Sequence, residues 1–413
     1  MVGCDTQPAT GLIPFDEALD VLLGYASPVN GTETVGLTAA LNRIMANDLK
    51  SAINVPPAAN SAMDGYAICY ADVNHSALTT LKVTQRIAAG ETGWALASGE
   101  AARIFTGAPI PANSDTVIMQ EQVEADETSM TFTVPVTQGQ NVRLAAEDIA
   151  ENQLILKKGE QLRAQELGLA ASIGQGQLNV TRRIKVGIFF TGDELVEPGQ
   201  PLAAGKIYDS NRYTLSGLLQ SLGCEIVDLG IVGDTLEQTK AAILKASENT
   251  DLVITSGGVS VGEEDYVRIA LEQLGQMHMW RLKIKPGKPL AFGQVNNTSF
   301  IGLPGNPVSV FATFCLFVSP FIKKLQGRTR ISPERSSATA LFDWPRPDSR
   351  REFVRARLSR NDEFEPQAEL YPNQGSGVLM STSWADGFVD ITEGQTIQQG
   401  DRVKYLSFAE MLT

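Results

Sequence analysis

The sequence predicts a multidomain chain in which one α/β domain with a parallel sheet lies between β-rich segments. Two textures and a length carry this reading. From Ile184, apolar strands alternate with amphipathic helices: "IKVGIFF", "SGLLQSLG", "CEIVDLGIV", "TLEQTKAAILKA", "DLVITS" and "DYVRIALEQLG". Such alternation indicates parallel strands covered on both faces. Short two-residue periodicities, as in "MTFTVPV" and "REFVRARLS", mark half-buried strands before and after that block. At 413 residues the chain exceeds one ordinary domain.

Taken in order, "FDEALDVLL" spaces Phe15, Ala18, Leu19, Leu22 and Leu23 as one face of a helix. Residues 45–148 read as short strands and turns. A second helix in "LGLAASIG" closes on glycine and is expected to pack on the first. The β-rich stretch would then be an insertion into a discontinuous unit of residues 1–44 and 149–183. The α/β domain covers 184–328, and a β-rich C-terminal domain covers 329–413. There Val354, Ala356 and Leu358 face one way while Arg355 and Arg357 face the other.

Composition narrows the function. A hydrophobic fraction of 43% and a charged fraction of 20% describe a globular protein able to bury cores. No apolar run reaches the ~18 residues of a membrane span, and no leader pattern opens the chain, so a cytoplasmic protein is expected. Cys4, Cys69, Cys224 and Cys315 lack C-x-x-C spacing, which argues against a zinc site or disulfide framework. With only His75 and His278, histidine-centred nucleophilic catalysis has little support. A net charge of −13 disfavours nucleic acid as a partner.

The chemistry concentrates in loops after strands, where open parallel sheets bind ligands. "TGDEL" presents Thr191, Asp193 and Glu194, and "VGDTLE" presents Asp234. "TSGGVSVGEEDY" joins Gly257, Gly258 and Ser260 to Glu263, Glu264 and Asp265. Singly, these acids could cap a helix, close a turn or stand solvated. Together they would repel at about 4 kcal/mol per close pair for an effective dielectric of 20. A divalent cation among them removes that cost: Mg²⁺ takes one or two carboxylates plus phosphate oxygens. Glycine N–H groups would hold phosphate directly. "IKPGKPLAFG" fixes Lys285 and Lys288 on a Pro-Gly turn, suited to a doubly charged oxyanion or simply to a solvated hairpin. "GLPGNPVSVFATFCLF" starts a helix with Pro307 in its first turn. That leaves the Ser309 hydroxyl and free N–H groups to meet an anion, unless it is an ordinary Asn-Pro cap.

"SAMDGYA", "RIFTGAPIP", "TGDEL", "IYDSNRYTLSGLL", "DLVITSGGVSVGEEDYV", "IKPGKPLAFG" and "GLPGNPVS" resemble, in order and over nearly the whole chain, the motifs of the molybdopterin molybdenumtransferases. These are the MoeA-type enzymes, similar to the E domain of gephyrin. The resemblance implies a molybdopterin-binding-like three-layer α/β domain, a β-rich insertion, a small helical linker domain and a C-terminal β-rich domain. It implies an elongated homodimer that inserts molybdate into adenylylated molybdopterin, with Mg²⁺ as cofactor and AMP released. Asp64 and Thr106 would face the partner subunit's α/β domain. Asp148, Glu194, Asp234 and Asp265 would be the functional acids, with Glu194, Asp234 and Asp265 on the metal. Lys285, Lys288 and Ser309 would handle molybdate and pterin, and Arg350 and Ser376 would complete the oxyanion site. Asp265 would position a water for attack on the anhydride. A molybdopterin adenylyltransferase and acceptor molybdoenzymes are the implied partners. One departure stands out: Ala146 in "RLAAEDI" replaces the family's usual glycine before Asp148. Two other readings are an adenylyltransferase-like enzyme, which would be the α/β domain alone, and a peptide-binding scaffold.

Overall fold

The computed structural model describes residues 11–133, 135–258 and 266–413. Its central element is a six-stranded sheet. Glu225–Val232, Lys185–Thr191, Leu252–Ser256 and Thr298–Leu303 run parallel in that spatial order. Pro289–Val295 and Gln276–Arg281 extend it antiparallel. The sequence reading expected a parallel sheet only. The added pair arises because "GQVNNTSF" turns through Asn296 and Asn297, both at positive φ. Asparagine tolerates that conformation, so the chain doubles back as a hairpin instead of crossing over.

Alternation sends successive strand residues to opposite faces. Val186, Ile188, Phe190, Ile254 and Ile301 join one core with the Ser210–Ser221 helix. Phe189, Val253 and Phe300 join another with the helices Leu236–Ser247 and Tyr266–Leu274. The result is three layers.

Residues 307–325 form one apolar helix of 19 residues that crosses the first core. By length and hydropathy it could span a membrane, which corrects the expectation that no run would reach that size. It is 89% buried inside the protein, against the sheet and the C-terminal domain. Its Ser, Thr and Pro residues break the apolar run in sequence without breaking the helix.

The helix Phe15–Gly24 does not share a core with the helix Ala164–Ser172, contrary to expectation. Phe15 meets Phe317 edge-to-face and Phe353 at a tilt, and Ala18 and Leu22 lie in the α/β core. Ala170 instead packs with Ala40, Leu162, Leu178 and Val180. What joins the segments flanking the insertion is backbone pairing: Thr32–Gly36 with Gln177–Thr181, and Leu49–Lys50 with Leu154–Leu156. Helical spacing showed which face of each helix would be apolar but carried no information on its partner.

The insertion holds its own six-stranded sheet, in which Ser129–Phe132 carries buried Met130 and Phe132. The C-terminal strands pair cyclically: Arg351–Arg360 bonds both Pro366–Leu370 and Gly387–Ile391, so five strands close a small barrel without free edges. Val354 and Ala356 fill it. Arg355 faces outward yet is 1% exposed, because the Asn373–Gly375 loop covers it.

Candidate active site

At the carboxyl ends of the parallel strands lies a cavity of about 620 Å³. Eight of the residues expected from sequence line it. Glu194, Gly257 and Gly258 come from strand ends, and Lys285 and Lys288 from the Pro-Gly turn. Ser309 comes from the core helix, and Arg350 and Ser376 from the C-terminal domain. The barrel reaches the sheet because Ile284–Lys285 pairs in parallel with Arg351–Arg360, placing Lys285 opposite Glu352. Gly287 seats the turn on the core helix: at φ +104° it bears no side chain, and a Cβ there would lie 2.4 Å from Thr313 Cγ2.

The two lysines are not equivalent, which corrects the picture of a matched pair. The Lys285 ammonium is 2.8 Å from Glu352 and 3.7 Å from Asp348. Glu352, 3% exposed at its side chain, also accepts from Trp344 Nε1 at 2.8 Å. Arg350 grips Asp348 through Nε at 3.2 Å and Nη2 at 3.0 Å. That grip holds the Asp348 carboxyl down at about 2. Lys288 is exposed and forms no ion pair among the described residues. It is therefore the cation most available to an incoming anion. Asp348 and Glu352 were missed, although "PDSRREF" places them at alternate positions about Arg350.

Two of the proposed backbone donors are already engaged. The Gly257 N–H donates to the Leu303 carbonyl at 3.2 Å, since strand pairing runs one residue past the strand end. The Val308 N–H at the core-helix start donates to the Ser376 carbonyl at 3.0 Å. The bond fixes the loop carrying Ser376, and Asn306 makes no side-chain cap there. The glycines serve close approach instead. At φ +95° and +62° they pass Thr191 and Val267, where a Cβ on Gly258 would lie 2.7 Å from Val267 Cγ2. Ser260 and Asp265 lie outside the described residues.

Asp234 does not line the cavity: it follows Glu225–Val232 and accepts from the Thr191 hydroxyl at 2.9 Å, at the end of the neighbouring strand that leads to Glu194. Glu194 folds back over Gly192, where a Cβ would lie 2.7 Å from its carboxylate. Two carboxylates from adjacent strand ends are a donor set suited to Mg²⁺ completed by substrate oxygens. Among the described residues, no group of three or more His, Cys, Asp or Glu side chains is arranged to hold a metal by itself.

Asp64, Thr106 and Asp148 do not line the cavity. Asp64 Oδ1 accepts from the Thr106 N–H at 2.8 Å and its hydroxyl at 2.7 Å. These bonds hold the carboxyl below its ordinary range. Asp148 follows Ala146, which adopts φ +61°, the left-handed conformation a glycine would take at less cost. The turn forms despite the substitution: the Ala146 and Asp148 N–H groups donate to the Pro56 and Val55 carbonyls, each at 3.0 Å.

Fold and cavity together define an α/β domain with a cleft between its parallel sheet and an appended barrel, lined by Lys285, Lys288 and Arg350. Comparison with known proteins makes that specific. Residues 13–174 match the MoeA N-terminal region (domain I and II), 187–324 a "Probable molybdopterin binding domain" and 337–408 the MoeA C-terminal region (domain IV). A molybdopterin molybdenumtransferase of Haemophilus influenzae is 40% identical over 97% of this chain and all of its own length. The Drosophila melanogaster molybdenum cofactor synthesis protein cinnamon is 34% identical over 92% of this chain and 62% of its own. The crystal structure of a molybdopterin biosynthesis MoeA protein from Pyrococcus horikosii superposes with a TM-score of 0.80 at 33% identity, covering 96% of this chain and 99% of that one. The chain belongs to the molybdopterin molybdenumtransferase family, the transferases of molybdenum cofactor biosynthesis.

Proposed function

We propose that the enzyme inserts molybdate into adenylylated molybdopterin and releases AMP, with Mg²⁺ as cofactor. The observation that carries this reading is the cavity itself. It brings a lysine without an ion pair among the described residues, two further cations that hold exchangeable carboxylates, and Glu194 together at the sheet's binding edge. Lys288 attracts molybdate as a compact dianion; Arg350 turns towards it as Asp348 releases it, and Lys285 as Glu352 releases it. Ser309, 4% exposed, and Ser376 offer hydroxyls to the bound oxyanion. Glu194 and Asp234, with Asp265, would hold Mg²⁺, which would supply positive charge against the phosphate of the leaving AMP. No protein nucleophile is needed, in keeping with Cys224 and Cys315 being buried and their thiols pushed up by burial, Cys224 to about 12.

Asp64, Thr106 and Asp148 enter the reaction from the partner subunit of a homodimer, so each cavity draws on two chains. A molybdopterin adenylyltransferase supplies the substrate in the cytoplasm and acceptor molybdoenzymes take the product. The adenylyltransferase-like alternative is disfavoured by the barrel's contribution of Arg350 and Ser376 to the cavity, and the scaffold alternative by the cations gathered there. The test incubates pure protein with adenylylated molybdopterin, Mg²⁺ and molybdate and measures AMP. Molybdate-stimulated AMP release is expected. AMP release indifferent to molybdate, or none, overturns the reading.

A further inference from the structure

A second basic cavity, of about 430 Å³, opens where residues 159–163, the end of the core helix and the C-terminal helix Phe408–Leu412 meet. Two cations line it from deep within the protein. Lys323 is 3% exposed and Arg328 is 9% exposed. A backbone bond from the Arg328 N–H to the Lys323 carbonyl, 3.0 Å, couples the two residues past Gly327 at φ +75°.

Neither cation has a carboxylate within ion-pair distance among the described residues. Lys323 Nζ donates to the Glu410 carbonyl at 2.8 Å. Arg328 Nε and Nη1 donate to the side-chain oxygens of Gln326 and Gln161, at 2.6 and 3.0 Å. All these acceptors are neutral. The acids lining the cavity bond other groups, although Glu410 still acts on Lys323 through space. Glu160 accepts from the Lys157 N–H, Glu166 pairs with Arg163, and Glu410 accepts from the Glu334 N–H.

Burying one uncompensated cation is unfavourable, and placing a second beside it adds repulsion. Both groups feel this: burial draws the Lys323 ammonium down to about 8, with Arg328 adding to the effect, and burial draws Arg328 to about 10. A structural network at a domain junction could have used neutral donors throughout. Two positive charges facing one cavity make physical sense when a negative charge enters it. Thr329 and Ser332 on the cavity wall add hydroxyls.

We propose that this second cavity binds a small tetrahedral oxyanion carrying two negative charges, held by Lys323 and Arg328. The site is separate from the Lys288 cavity, sharing no lining residue with it. The bound anion ties residues 159–163 to the core helix and the C-terminal helix.

The test uses the full-length Lys288→Ala, Arg350→Ala protein, in which the first cavity can no longer hold an oxyanion well. Inorganic phosphate, sulfate and molybdate are titrated separately by calorimetry, with ionic strength held constant by chloride. Saturable binding of at least one, one ion per chain, is expected, with a higher melting temperature than in chloride. The arm that responds identifies the source of the oxyanion. Adding Arg328→Gln or Lys323→Met should weaken binding by roughly tenfold, the size of one charge-assisted hydrogen bond. Melting curves in chloride report whether each variant is folded, and either folded variant suffices. The absence of saturable binding by all three anions, or unchanged affinity in a folded variant, overturns the proposal.

Discussion

The two basic cavities handle buried charge in opposite ways. Around Lys288, the neighbouring cations Lys285 and Arg350 are neutralised in advance by Glu352 and Asp348. An arriving anion competes for them and can leave again. Around Lys323 and Arg328, burial is deeper, and among the described residues no carboxylate lies within ion-pair distance, Glu410 acting on Lys323 only from further off. A site that turns over substrate gains from exchangeable partners, whereas a site that holds an ion gains from unsatisfied charge. The cavities also differ in completeness. In the proposed reading the first needs Asp64, Thr106 and Asp148 from another subunit, while the second is assembled from one chain.

The sharpest way to break that second contrast is a mixed dimer. With molybdate held well below its half-saturating level, Asp64→Asn homodimers should be nearly inactive and Lys288→Ala homodimers should keep no more than about a tenth of wild-type activity. After co-refolding in equal amounts, half the dimers are mixed and one site in each is intact, so about a quarter of wild-type AMP release should return. Activity unchanged from the separate variants, with subunit exchange demonstrated, would mean that each chain works alone.

A comparison within the first cavity separates the lysines. Lys288→Ala should raise half-saturating molybdate about tenfold, the loss of one charge-assisted contact, and leave the melting temperature near wild type. Lys285→Ala should also lower stability by about 1–3 kcal/mol, because it strands the buried Glu352 carboxylate. Equal melting temperatures for the two variants would show that the Lys285–Glu352 pair is not formed in solution.

In the second cavity, Lys323→Met should raise stability at pH 7 by about 1 kcal/mol in chloride, since it removes a buried charge near Arg328, Cys315 and Glu410. The folded ammonium titrates near 8, below its ordinary 10.5, so the unfolded chain binds more protons between those values. The cost of burial is thus full below pH 8 and fades as pH rises towards 10.5. Urea unfolding at pH 7 and pH 10 should show the advantage of Lys323→Met shrinking with pH. A larger advantage at pH 10 would contradict the burial argument.

The smallest effect is expected at Asp348. Its folded carboxyl titrates at about 2, below the ordinary 3.8. Its contribution with Arg350 is therefore present above pH 3.8 and lost as pH falls through about 2. Asp348→Asn should flatten the stability profile in that window, followed by circular dichroism, and lower half-saturating molybdate by freeing Arg350. An unchanged acid profile would remove Asp348 from the account.

Periodicity and turn chemistry determined much of this molecule. The apolar alternation from Ile184 specified a two-sided sheet because buried strands must be apolar on both faces. The Gly-Gly, Pro-Gly and Gly-Asn-Pro loops marked the strand ends and helix start that line the cavity, since each backbone shape demands those residues. Pairing across long separations was decided by tertiary structure alone. Local pattern could not show that Phe15–Gly24 packs on the sheet domain or that Pro289–Val295 doubles back. It could not show that Gly257 gives its N–H to Leu303, because the acceptor lies 46 residues away in the chain. Nor could it distinguish Lys285 from Lys288, which share one turn and differ only in the carboxylates the barrel brings beside them. Lys323 and Arg328 lie in no motif, and only folding enclosed them. Charge type is written residue by residue, but burial and partner are set only when distant segments close around a side chain.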